Sequence, residues 1–102
     1  MRSYAPPTHK LMRTQFYSVE REHVLKAIER LKLGERTRWR ASSKYALLVE
    51  GASFAPKAVL GLATCIANNC NEESVKAFSG GEETNSVLQK LGFEIITNSK
   101  PA

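Results

Sequence analysis

Three arginines spaced one residue apart, in Glu35-Arg-Thr-Arg-Trp-Arg40, are the side chains best equipped to meet an anion. A guanidinium offers a planar fork of donors that fits phosphate oxygens or a guanine edge, and an indole stacks on an exposed base. In an extended stretch, period two puts Arg36, Arg38 and Arg40 on one side, with Thr37 and Trp39 on the other. A loop clusters them anyway. Trp39 keeps two readings, base platform or ordinary core residue. Lys44 adds a cation shortly after. Lys57 follows Pro56 and falls in the first turn of an expected helix, where a cation opposes the positive end of the dipole. A nearby phosphate would reverse that penalty; the plainer reading is an exposed Lys whose stem covers apolar surface.

Ser79-Gly80-Gly81 precedes another helical stretch, so its N–H groups suit an anion-binding nest. Glu82 and Glu83 follow at once and would repel a phosphate, which favours a tight turn that brings backbone close to backbone. The stretch lacks the GK[ST] ending of a P-loop. Asn85, expected on the exposed side of that helix, has the groups for a bidentate contact with adenine, or for a capping or turn-supporting role.

Other chemistry is poorly supplied. The chain contains no Asp; all ten acids are Glu. Metal-dependent nucleases and phosphotransferases usually gather mixed acids and His around a divalent ion. Glu72–Glu73 and Glu82–Glu83 are adjacent pairs whose side chains diverge. Cys65 and Cys70 have no second Cys pair and no neighbouring His, so their spacing does not suit zinc. No nucleophile–base pair is apparent. The expectation is a binding module with no metal, no cofactor and no catalysis of its own.

The charge is divided. Residues 1–44 hold eleven Lys and Arg against four Glu, whereas residues 45–102 hold four Lys against six Glu. An excess held in one half points to a polyanion, of which nucleic acid is the commonest. The rival explanation is a solvated helix and leader. No apolar run approaches the roughly 20 residues that span a bilayer. No apolar segment follows the basic N-terminus as in a signal peptide, so a cytoplasmic location is expected.

Those side chains need a frame. The expected organisation is a flexible leader over residues 1–15, one α+β domain over 16–98 and a short tail over 99–102. Val24, Ala27, Ile28 and Leu31 form a helical stripe, with Ser18 as N-cap and Gly34 as stop. Tyr45 to Glu50 reads as a strand, Gly51 as a turn and Ala52 to Phe54 as a returning arm. Pro56 opens a second helix with Val59, Leu62, Ala63 and Ile66 on its stripe, stopping near Asn68–Asn69. Ser79 and Glu82 have capping-box spacing for a third helix closed by Gly92. Phe93 to Thr97 is a final strand, paired with residues 45–50. The fold class is α+β: three helices and a two- to three-stranded antiparallel sheet, compatible with a winged-helix-like arrangement.

Two stretches also carry a resemblance. One contains Tyr45, Gly51, Phe54, Pro56, Lys57, Ala58, Gly61 and Ala63; the other contains Phe78, Ser79, Gly80, Gly81, Thr84, Asn85, Leu88, Leu91, Gly92 and Phe93. Together they resemble the N-terminal head domain of McrA-like, modification-dependent (type IV) restriction endonucleases and related HNH nucleases. The resemblance implies an accessory module of a restriction or defence system that binds or senses double-stranded DNA, plain or modified, with cutting left to an HNH domain or partner. An HNH-like His–Asn–His cluster is absent. The chain is then either a piece of a longer nuclease or a free-standing user of the module. A rival of another class is a protein-interaction or oligomerisation module that positions a nuclease.

Overall fold

Val24, Ala27 and Ile28 recur at helical spacing, and in the computed structural model they are the buried side of α1 (Arg21–Lys32). The structure describes residues 14–39, 44–78 and 81–97. The helix starts later than its sequence suggests: Glu20 is the N-cap, and its N–H donates to His23 Nδ1 at 2.9 Å. Ser18 instead donates its hydroxyl to Asn68 Oδ1 at 2.9 Å. Gly34, at φ 96°, takes the chain out of the helix.

Strands β1 (Tyr45–Val49) and β2 (Ala52–Phe54) form a hairpin in which Val49 faces Ala52. The two loop residues, Glu50 and Gly51, both have positive φ, 53° and 83°. That backbone matches the right-handed twist of the flanking strands. After α2 (Pro56–Asn68) come a 3-10 turn at Glu72–Ser74, then α3 (Glu82–Lys90) and β3 (Glu94–Thr97). The sheet order is β2-β1-β3, antiparallel throughout, with Leu47 opposite Phe54 on one side and Ile95 on the other. The hairpin stands between α1 and α2, whereas winged-helix domains carry theirs after the last helix.

Helix α2 is the hub. Its expected stripe is buried only in part, with Ile66 half-exposed, while Leu60, Gly61 and Thr64 are buried as well. Packing by α1, α3, β1 and the 3-10 turn leaves it little free surface, so its sequence is apolar nearly all round. Thr64, inside this helix, donates its hydroxyl to the Leu60 carbonyl at 2.8 Å. Phe16, Leu47, Leu60, Leu62 and Leu88 are the largest fully buried side chains, each contributing roughly 1.5–3 kcal/mol over exposure. Among the described residues, no helix is long and apolar enough to cross a membrane.

Candidate nucleic-acid interface

The segment after α1 alternates without forming a strand. Arg36 and Arg38 are exposed; Thr37 and Trp39 are half-buried. Thr37 Oγ1 sustains the bend, accepting the Trp39 N–H at 3.3 Å and lying 3.2 Å from the Trp39 carbonyl, to which it donates. The Trp39 ring rests on α2 where Gly61 leaves room. A Cβ at Gly61 would fall 2.6 Å from three indole carbons. The indole also neighbours Phe78, at 6.1 Å between centroids, and Phe78 meets Phe16 edge-on at 5.2 Å. Trp39 therefore has one face committed to the fold.

Two cations border this aromatic cluster. The Arg38 guanidinium lies 5.8 Å from the Trp39 ring, and Lys57 Nζ lies 5.5 Å from the Phe78 ring. Both contacts are within cation–π range. Arg38 is also anchored: Nη1 donates to the Glu72 carbonyl at 3.0 Å, and the Arg38 N–H donates to Glu72 Oε1 at 3.2 Å. The Glu72 carboxylate thus meets the main chain, while the guanidinium meets a neutral carbonyl. Lys57 is half-buried in the first turn of α2, a turn with no acidic residue.

A second group lies along the chain from the first. Lys44 Nζ is 6.0 Å from the Tyr45 ring, and Tyr45 Cε2 is 3.9 Å from where a Gly81 Cβ would sit. Gly81, and not Ser79, is the N-cap of α3; its φ of 68° and ψ of −132° suit only glycine. This accounts for one glycine at a position where helix propensity disfavours it. Arg40, Ser79 and Gly80 lie outside the described residues.

Asn85 differs from its expected placement. It is 8% exposed, and its Oδ1 is buried with no hydrogen-bond partner among the described residues. It belongs to the inner side of α3, as does buried Thr84. An adenine edge in a duplex groove cannot reach an amide buried to this degree.

Sequence reasoning overlooked Phe78 as the seat of the Lys57 ammonium, and Glu72 as the clamp on Arg38. Both partners are distant in sequence, and only the aromatic type of Phe78 hinted at its role. Elsewhere, Arg30 Nε and Nη2 donate to the two Glu35 carboxylate oxygens at 2.8 and 2.7 Å. That pairing raises the Arg30 pKa. Among the described residues, no three His, Cys or Glu side chains gather as a metal site.

A family model described as ScoMcrA-like, N-terminal head domain, matches residues 17–97. No curated protein and no solved structure matches the chain.

Proposed function

The chain belongs to the ScoMcrA-like N-terminal head domain family, and from that premise we propose that it is a DNA-binding or DNA-sensing accessory module of a modification-dependent restriction system. On this reading it works in the cytoplasm, leaves catalysis to a separate nuclease domain or subunit, and contacts duplex phosphates through Arg36, Arg38, Lys44 and Lys57, with Arg40 in the same basic segment. The observation that carries the reading is the aromatic pair of half-buried Trp39 and buried Phe78. It holds Arg38 and Lys57 at its borders, with neither cation in an ion pair to a carboxylate among the described residues. Cations without a carboxylate partner attract a sugar–phosphate strand by releasing its counterions.

A docking role is the competing reading. Tyr17, Leu25 and Leu33 are large apolar side chains exposed at 65%, 41% and 84%. Single exposed apolar residues are ordinary on protein surfaces, so this reading has less behind it.

The test is a titration with plain, methylated and phosphorothioate duplexes at two salt concentrations. DNA binding predicts a log–log salt slope near −0.9 for each phosphate neutralised. Preference for one duplex at equal salt would identify modification readout. No binding to any duplex at low salt would discard the proposal in favour of docking.

A further inference from the structure

Helix α2 ends in a closure that brings both cysteines together. Asn69 adopts φ 53°, ψ 50°, its N–H donates to the Ile66 carbonyl at 3.3 Å, and the Cys70 N–H donates to the Cys65 carbonyl at 3.0 Å. This pair of bonds is a Schellman motif, in which the residue after the left-handed one folds back over the residue five positions earlier. Apolar side chains commonly make that contact; here both positions are Cys. A 3.0 Å bond from one residue's N–H to the other's carbonyl holds their Cα atoms to about 7 Å or less, near the separations that disulfides bridge. Both cysteines line one groove of about 450 Å³, with Arg30, Glu35 and Glu72 at its sides. Cys65 is buried and Cys70 half-buried.

We propose that Cys65 and Cys70 form a redox dithiol, a modification site that a small disulfide such as oxidised glutathione converts to an intramolecular bond. The more accessible Cys70 loses its proton and attacks one sulfur of the oxidant, displacing the other half as a thiol. Cys65 then gives up its proton and attacks the Cys70 sulfur of that mixed disulfide, releasing the second half. Two protein thiols become one disulfide, and the oxidant leaves as two thiols. Burial pushes the Cys65 thiol up to about 11, with Cys70 as the next contributor. Buried Cys65 is shielded from an incoming oxidant that half-buried Cys70 can meet, and this difference assigns Cys65 the resolving role. The closed form fixes the chain leading from α2 into Glu72, the clamp on Arg38.

The experiment equilibrates the folded protein with mixtures of reduced and oxidised glutathione, quenches with acid and maps the tryptic peptides. Lys57 and Lys76 flank both cysteines with no Lys or Arg between them, so both appear in one peptide. The expected product is that peptide lighter by two hydrogens and free of glutathione. Its closure constant should exceed that of the urea-unfolded chain by on the order of tenfold, reflecting the higher effective concentration of paired thiols. In Cys65→Ser, the remaining Cys70 should instead accumulate one glutathione. The proposal is overturned if the folded wild type accumulates glutathione on either cysteine. It is equally overturned if closure is no more favourable than in urea, or if the thiols stay reduced at every ratio.

Discussion

Gly61 carries a demand that its own neighbours in sequence do not announce. The Trp39 indole occupies the space where any Cβ would project, at 2.6 Å. Gly61→Ala should therefore destabilise the domain by about 1–3 kcal/mol, as overpacking does, measured by urea unfolding with a matching shift in Trp39 fluorescence. An unchanged midpoint would mean that the ring moves aside freely. Cys65 gives a second prediction at this scale. Its thiol titrates at about 11 when folded, against an ordinary 9.0, so the folded chain keeps a proton that the unfolded chain releases. The resulting stability is complete below pH 9 and declines as pH rises from 9 towards 11. Denaturation midpoints across that range should fall less steeply in Cys65→Ser. Residue types such as Trp39 and Gly61 were visible from the start, but their contact joins a loop to a helix 22 positions away and leaves no local pattern. The same holds for Asn85, whose expected exposure rested on helical phase alone and was reversed by its burial.

Elements whose signals are local were the legible ones. Pro56 opens α2, Gly34 and Gly92 follow α1 and α3 at positive φ, and Gly51 turns the hairpin. Each of these acts through its own backbone torsions, with no help from tertiary structure. The start of α1 was misplaced because the Ser18 hydroxyl is drawn to Asn68, fifty residues on, and does not cap the helix beside it. The end of α2 offers a test of this local logic. Asn69 is left-handed at φ 53°, a conformation that costs a residue with Cβ about 1–2 kcal/mol unless its side chain helps locally. Asn69→Ala should lower stability by about 1 kcal/mol and Asn69→Gly should leave it level or raise it slightly, read from urea midpoints. Near the C-terminus of α1, Glu35→Gln removes a bidentate but half-exposed ion pair with Arg30, and a loss below about 1 kcal/mol is expected.

Across the whole molecule, the charge asymmetry counts the cations without saying which of them the fold itself employs. Residues 1–44 supply the excess, yet Arg21 donates to the Leu91 carbonyl at 2.9 Å and covers the Phe93 ring at 4.5 Å. Arg30 is held by Glu35. Both arginines support the fold, and Arg38 is clamped in the same manner by the Glu72 carbonyl, which leaves Arg36 and Lys57 as the better tests of the proposed contact. Arg36→Gln and Lys57→Gln should each lower the magnitude of the salt slope for duplex binding by about 1. Arg21→Gln should chiefly lower the unfolding midpoint. Equal slopes in all three variants would place the contact surface elsewhere.

The amide of Gln15 imitates a peptide unit. Its Nε2 donates to the Lys76 carbonyl at 3.0 Å, and its Oε1 accepts the Lys76 N–H at 2.8 Å. Next to it, Phe16 is 1% exposed against Phe78. The family similarity begins one residue later, at position 17. Anyone excising the module at that border would discard its latch and a buried aromatic ring together, a loss comparable to the roughly 3–5 kcal/mol of a Phe-to-Ala truncation. A fragment starting at Thr14 should resist proteases that quickly degrade one starting at Tyr17.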